Sequence, residues 1–141
     1  GYMPIVVEAV SEEDYQTWVV TQEQAQKKAN QVSELSFDEL MAQGKTSYDK
    51  NCAACHQVEG QGIPPVFPAL KGSAIALGNM INHVDIVVNG KTGSAMAAFG
   101  EQLTPTEIAA IVTYERNAWG NDKGDSIQPA EIVSFKQAQG Q

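Results

Sequence analysis

Apolar residues recur with the period of a helix in three long stretches of the chain, residues 36–52, 79–88 and 104–119. Each stretch keeps its apolar side chains on one face, which is typical of a helix packed against a core. A shorter helix is predicted at residues 11–20, and the polar C-terminal tail allows one more after Pro129. The pattern therefore predicts a mainly helical protein.

Capping motifs mark where two of these helices begin. Ser36 and Glu39 have the spacing of a capping box, in which each side chain hydrogen-bonds the backbone amide of the other residue. Thr104 and Glu107 repeat that spacing around a first-turn proline. Gly90 follows the helix at residues 79–88 and is predicted to end it.

Four segments lack the helical pattern. Residues 1–10, GYMPIVVEAV, alternate around an apolar β-branched run and predict a strand. Residues 21–35 are mostly polar, rich in Gln and Ala, and predict a partly helical linker. Residues 60–73 and 91–100 are rich in Gly, Pro or Ala and are predicted to be loops.

Residues 51–57, NCAACHQ, hold both cysteines of the chain and one of its two histidines. Three chemistries use two thiols separated by two residues: a redox-active dithiol, half of a zinc site, and covalent haem attachment with the next histidine as iron ligand. Zinc would need about four ligands, and outside the motif only His83 could help. A thioredoxin-like dithiol should follow a strand, whereas the residues before Cys52 have helical spacing. The haem interpretation, in which Cys52 and Cys55 attach the ring and His56 binds the iron, is therefore favoured.

The second axial ligand of such a haem has four methionine candidates. Met41 and Met80 fall on apolar faces of predicted helices, where methionine usually fills a core, and Met3 lies beyond the linker. Met96 lies in a loop of small residues, far enough after His56 for the chain to cross the haem. Met96 is therefore predicted to supply the axial sulfur.

Two other residues bear on the ligation. His83 is the remaining imidazole, but its polar neighbours Asn82 and Asp85 favour a surface or partly hydrogen-bonded histidine over an iron ligand. Proximal histidines usually donate their second ring N–H to a backbone carbonyl. The loop after the motif is rich in proline, and Pro68 is the candidate to supply that carbonyl.

The chain of 141 residues carries a formal charge of −8, which argues against nucleic acid or an anionic membrane surface as partner and suits a basic protein. No apolar run approaches the roughly 20 residues of a membrane span, so no direct membrane insertion is expected. Covalent haem attachment in bacteria takes place outside the cytoplasmic membrane, and no signal peptide is evident. We therefore expect a periplasmic location, reached through a signal that is supplied from outside these residues.

Residues 36–120 resemble a class I cytochrome c, an all-α fold of three to five helices wrapped around one covalent haem c. The resemblance rests on the CAACH motif, the proline loop ending PALKG, the methionine in MAAFG and the closing helix LTPTEIAAIVTYERNAWGN. It implies that the first and last helices cross near Gly44 and Tyr114 and that Met96 is the distal ligand. It also gives the Pro68 carbonyl the task of orienting the proximal histidine.

The flanks resemble subunit II of a bacterial haem-copper cytochrome c oxidase that carries a fused cytochrome c domain. Met3 in GYMPIVVEAV would match a methionine ligand of the dinuclear copper centre, but the matching histidine and cysteines are absent here, so a copper centre is expected only in the intact parent subunit. The resemblance divides the chain into a copper-domain remnant at residues 1–20, a linker at 21–35, the cytochrome c domain at 36–120 and a tail at 121–141.

The function implied by this resemblance is electron transfer, without catalysis by the fragment itself. The expected partners are a periplasmic donor, such as a cytochrome, and the copper domain and other subunits of the parent oxidase. The domain would then lie on the periplasmic side of the membrane, tethered through the preceding part of the parent chain. Two alternatives stay open: a free-standing periplasmic carrier, and a gas-binding or peroxidase-like haem protein, against which Met96 argues.

Overall fold

The computed structural model describes residues 9–29 and 34–140, so most of the strand predicted at residues 1–10 lies outside the described residues. Within the described ranges the chain is helical, and the β-structure there is a single bridge between Ile63 and Phe67. This confirms the all-α fold class. The helices are α1 (Glu12–Ala29), α2 (Phe37–Asn51), α3 (Ala53–His56), α4 (Met80–Asn89), α5 (Pro105–Asn117) and α6 (Pro129–Ala138).

The chain divides into two compact units, residues 1–31 and residues 32–141. The first unit contains α1, which begins after Ser11, whose hydroxyl accepts a hydrogen bond from the Asp14 amide at 3.1 Å. The helix continues through residues 21–29, which the sequence predicts as a partly helical linker, because Gln, Ala, Lys and Glu are good helix formers. None of the described helices is long and apolar enough to span a membrane.

The second unit is organised by the crossing of α2 and α5. A Cβ added to Gly44 would overlap the Ala110 carbonyl and lie 2.6 Å from the Tyr114 Cβ. Glycine therefore lets the two helix backbones approach more closely than any other residue would. The crossing lies where the resemblance places it, near Gly44 and Tyr114.

Both predicted capping boxes are present in the structure. The Ser36 amide donates to the Glu39 carboxylate at 2.8 Å, and the Thr104 amide donates to the Glu107 carboxylate at 2.9 Å. The side-chain and backbone hydrogen bonds from Ser36 lower the pKa of Glu39. These boxes fix the first residues of α2 and α5 where the sequence predicts them.

Helix α5 ends at Asn117, two residues before the predicted end at Trp119. Trp119 has a φ of 59°, which a helix does not allow, and its ring packs against the rings of Tyr48 and Tyr114 at centroid distances of 4.9 and 5.2 Å. The packing of this large, partly buried ring outweighs the hydrogen bonds of two more helical residues.

Helix α6 and the residues before it complete the core of the second unit. Ile127 and Ile132 are 1% and 0% exposed and join the same apolar cluster as Leu40 of α2 and Val84 of α4. The Gln128 side chain also bonds the backbone of Leu35 in both directions, at 3.0 Å each. The segment predicted as a polar tail is therefore part of the folded unit.

Candidate functional site

A cavity of about 350 Å³ lies within the second unit, bounded by the cysteine–histidine motif, α4, α5 and the loops at residues 60–73 and 91–100. Its walls are predominantly apolar, as expected of a pocket for a large organic cofactor. All five sequence-predicted site residues line the cavity: Cys52, Cys55, His56, Pro68 and Met96.

The two cysteines and His56 reach the cavity because the chain makes a second short helix directly after α2. Cys52 ends α2 and precedes α3, and the His56 amide donates to the Cys52 carbonyl at 2.9 Å. Cys52 is buried and Cys55 is partly exposed, and the two do not form a disulfide. Burial, with smaller contributions from the Glu115 and Cys55 charges, raises the pKa of the Cys52 thiol far above its usual range.

The chain turns sharply after His56, and hydrogen bonds fix both the turn and the imidazole ring. Gln57 adopts a φ of 63°, and its carbonyl accepts a hydrogen bond from the Tyr48 hydroxyl at 2.7 Å. The Nδ1 atom of His56 lies 2.9 Å from the Pro68 carbonyl oxygen. A carbonyl accepts only, so Nδ1 carries the hydrogen and Nε2 keeps the lone pair that a metal ion would use.

The described methionines differ in whether they line the cavity. Met96 lines the cavity from a loop that is tied by hydrogen bonds from the Lys91 amide to the Met96 carbonyl and from the Phe99 amide to the Val87 carbonyl, at 3.1 and 3.0 Å. Met80 packs instead against the cluster around Leu40.

Of the other two methionines, the structure describes Met41. Met41 packs against the cluster around Tyr48 and, like Met80, is not among the lining residues of the cavity. Met3 lies outside the described residues.

His83 also lines the cavity, and it is not a surface residue. It is 2% exposed, and its Nε2 lies 2.7 Å from a carboxylate oxygen of Glu115 on α5. The polar neighbours that favour a surface position, Asn82 and Asp85, lie on other sides of α4. Sequence reasoning missed Glu115, because the two residues are 32 positions apart and only the packing of α4 on α5 brings them together.

The donor set of the cavity fits a haem attached through two thioethers. Two thiols and an imidazole with a free Nε2 lie on one short motif, a thioether sulfur comes from another loop, and most of the remaining wall is apolar. The zinc alternative has no such support, since no group of three or more metal-binding Cys, His, Asp or Glu side chains occurs in the described part of the chain.

Comparisons with known proteins point to the same family. The family model described as cytochrome c oxidase, cbb3-type, subunit III, matches residues 39–114. The cytochrome c subunit of the quinone alcohol dehydrogenase of Gluconacetobacter polyoxogenes is 26% identical over an alignment of 103 residues, and the match covers 66% of this chain and 22% of that subunit.

Two other relatives are more similar over shorter stretches. The cbb3-type cytochrome c oxidase subunit CcoP of Azospirillum sp. (strain B510) is 34% identical over an alignment of 90 residues, and the match covers 57% of this chain and 29% of the relative. Cytochrome c-552 of Thermus thermophilus is 34% identical over an alignment of 86 residues, and the match covers 51% of this chain and 65% of the relative. The chain thus spans less than a third of the dehydrogenase and oxidase subunits that it matches.

The matched region contains the cysteine–histidine motif, the proline loop and the methionine loop, and it leaves out the flank at residues 1–20 on which the copper-domain resemblance rests. A cytochrome c domain carries covalent haem c and transfers electrons. The chain belongs to the cytochrome c family described by the cbb3-type cytochrome c oxidase subunit III model.

Proposed function

We propose that this chain transfers single electrons through a haem c that Cys52 and Cys55 attach and that His56 and Met96 ligate. The observation that carries the proposal is that all four side chains line one apolar cavity. The bound haem supplies a one-electron couple between ferric and ferrous iron. The protein's own residues supply attachment, axial ligation and exclusion of water.

Each wall of the cavity has a separate task. The Cys52 and Cys55 thiols fix the position of the ring, and the Pro68 carbonyl orients the His56 imidazole and makes Nε2 a better donor. The Met96 sulfur favours the reduced state. Apolar walls disfavour the extra charge of the oxidised state, so both features raise the reduction potential.

The loops around the cavity give the partner its contact surface. Ile63, Val66 and Ile75 are 45%, 66% and 46% exposed, and Val66 and Ile75 belong to the lining of the cavity. A small, mostly apolar surface suits a transient electron-transfer complex, which must release its partner quickly. The donor is a periplasmic cytochrome or similar carrier in this proposal.

In the finer proposal the chain is the C-terminal part of subunit II of a haem-copper oxidase, on the periplasmic side of the membrane, and passes its electron to the copper centre of that subunit. Its support is the similarity of residues 1–20 and of the tail GDSIQPAEIV to such subunits. The matched dehydrogenase and oxidase proteins are named as subunits. Their names agree with the proposal that this chain is part of a larger complex. Copper ligands and membrane spans encoded directly upstream would support this proposal, and an open reading frame without them would favour a free-standing carrier.

Replacing the two methionines one at a time tests the axial ligand. Met96→Ala should abolish the sulfur-to-iron charge-transfer absorption of the oxidised protein and lower its reduction potential. Met80→Ala is the matched control, because Met80 packs in the core and should affect stability only. The reverse pattern would move the ligand to Met80, and binding of carbon monoxide by the unaltered reduced protein would favour the gas-binding alternative.

A further inference from the structure

The proposed electron transfer leaves one buried pair of ionisable groups without a task. His83 and Glu115 lie in the wall of the haem cavity, with side chains 3% and 4% exposed and their polar atoms 2.7 Å apart. Neither holds the cofactor in the arrangement described above. Buried ionisable groups are costly to a fold unless they are paired, and replacing a whole buried pair by apolar side chains of similar volume is often neutral or stabilising, so stability alone does not account for this pair.

The hydrogen bonding of the pair leaves one nitrogen open. An ionised carboxylate only accepts hydrogen bonds, so Glu115 requires that Nε2 of His83 carry the hydrogen. A neutral ring then has its lone pair on Nδ1. Among the buried side-chain nitrogen and oxygen atoms of the described residues, His83 Nδ1 is the one without a hydrogen-bond partner. In this state the pair carries one net negative charge and one vacant site for a proton.

Charged groups on the neighbouring elements do not neutralise the pair. On α5, Arg116 follows Glu115 directly, but its guanidinium bonds both oxygens of Asp125 at 2.8 and 2.6 Å. On α6, Lys136 donates to the Gly100 carbonyl at 2.6 Å. Within the described residues, no lysine or arginine forms an ion pair with Glu115.

The remaining titratable neighbours lie on α2, on α4 and in the cavity. Burial raises the pKa values of Tyr48 and Cys52 most, and the Glu115 charge is the next largest cause. Glu115 therefore acts electrostatically on two residues in or beside the cysteine–histidine motif. On α4, Asp85 accepts a hydrogen bond from Asn89. His56 and Lys91 also line the cavity. The pair therefore lies in the wall of the space that the haem would fill, and among the described residues neither Lys91 nor another lysine or arginine forms an ion pair with Glu115.

An electron that enters an apolar cavity adds negative charge where screening by water is weak, and this raises the proton affinity of groups in the wall. Imidazole is the side chain that gains or loses a proton most readily near neutral pH. We propose that the His83–Glu115 pair takes up a proton when the haem in this cavity is reduced, so that electron transfer by this domain is coupled to proton transfer. The inference rests on the proposed function.

The step balances in charge and atoms. One electron arrives from the redox partner, and one proton from solvent water adds to Nδ1 of the neutral His83 ring. The Glu115 carboxylate stays ionised, so the pair changes from a net charge of −1 to zero and offsets the charge that the electron brought. When the electron leaves, the proton returns to solvent.

The test is a redox titration of the haem-loaded protein over a series of pH values. Because reduction takes up a proton, the equilibrium constant for reduction should fall as pH rises, by up to tenfold per pH unit where the pair changes its protonation. Glu115→Gln and His83→Gln should each flatten this dependence, since both remove the ion pair and keep a hydrogen-bonding group. Glu101→Gln is the matched control, because it removes a carboxylate that is 85% exposed and should leave the dependence unchanged.

Proton uptake on reduction can also be measured directly on the unaltered protein, so this test does not require that the variants fold. The unaltered protein is reduced in weakly buffered solution with a pH indicator, and we expect up to one proton per electron. Uptake of no proton would overturn the proposal. A pH dependence that persists in both variants would also overturn it, since the proton would then bind elsewhere, for example to the haem's own carboxylates.

Two further outcomes separate this inference from the function on which it rests. A normal one-electron couple whose potential does not depend on pH would overturn the inference alone. A protein without any reversible one-electron couple would overturn the proposed function and the inference with it. Variants that lose thermal stability but keep the full pH dependence would assign the pair a structural role only, against the proposal.

Discussion

Helix α1 and the C-terminal segment at residues 121–140 flank the cytochrome c region, and the sequence predicts both as appendages to it. In the structure they differ sharply. The described side chains of α1 at residues 12–24 are exposed apart from a half-buried Val19. The C-terminal segment contributes fully buried side chains to the core, among them Ile127 and Ile132.

The difference lies in a few residues rather than in overall composition. Both segments are largely polar, but the C-terminal segment has isoleucines at positions that meet α5, and side chains that bond distant backbone groups, such as Lys136 to the Gly100 carbonyl. Helix α1 has the composition to form a helix, but its described side chains at residues 12–24 form no buried face that would fix its position. Forming a helix and packing a helix are therefore separate requirements on the sequence.

The largest effect expected from this comparison is that of Ile132→Ala. Ile132 is fully buried beside Leu40 and Val84, so the truncation should leave a cavity and lower the free energy of unfolding by about 2–5 kcal/mol. Val20→Ala in α1 is the matched control, since Val20 is 50% exposed and should cost less than about 0.5 kcal/mol. Chemical denaturation of both variants measures the difference, and equal costs would contradict the comparison.

A smaller effect is expected at acid pH. Arg116 donates two hydrogen bonds to Asp125 and, through them and its charge, holds the pKa of that carboxyl below its ordinary value against the opposing effect of burial. The contribution to stability is therefore present above the ordinary aspartate pKa and is lost as pH falls through the lower folded-state pKa. Because the Asp125 side chain is 38% exposed, we expect only about 1 kcal/mol.

The check is to measure the free energy of unfolding from neutral to acid pH in the unaltered protein and in Asp125→Asn. The variant should be less stable at neutral pH, and the difference should shrink as the solution becomes acid. A difference that stays constant over this range would mean that the charge of Asp125 does not anchor the segment.

The smallest effect should come from deleting residues 1–31. These residues form a separate compact unit, so the haem absorption, the reduction potential and the unfolding midpoint of the remaining domain should change little, within about 0.5 kcal/mol in stability. Denaturation followed through the haem absorption compares the two lengths of chain. A large loss of stability would show that α1 supports the cytochrome fold after all.

The sequence predicted best what depends on neighbouring residues. The capping boxes at Ser36 and Thr104 located the starts of α2 and α5, and the glycine at position 90 located the end of α4. The same local patterns predicted a mainly helical chain, which agrees with the all-α fold class that the resemblance to class I cytochrome c implies. The motif and loop residues proposed to hold the haem also line one cavity, although their roles as ligands stay predictions.

What the sequence could not give depends on residues that are far apart in the chain. The burial of His83 requires its pairing with Glu115 across two helices, and no local pattern encodes that contact. The packing of the C-terminal segment likewise depends on Ile132 meeting a surface formed by α2, α4 and α5. Hydrophobic periodicity shows which face of an element is buried but not which element covers it.

The central claim is that Cys52 and Cys55 hold a haem covalently, and the mass of the unfolded protein tests it most directly. Protein produced in cells able to attach haem c should be extracted with acid and organic solvent and then weighed by mass spectrometry. Thioethers survive this treatment whereas iron–ligand bonds do not, so we predict the mass of the chain plus one haem, and loss of that haem when both cysteines are replaced by alanine. The mass of the chain alone, with haem recovered in the solvent, would contradict the account.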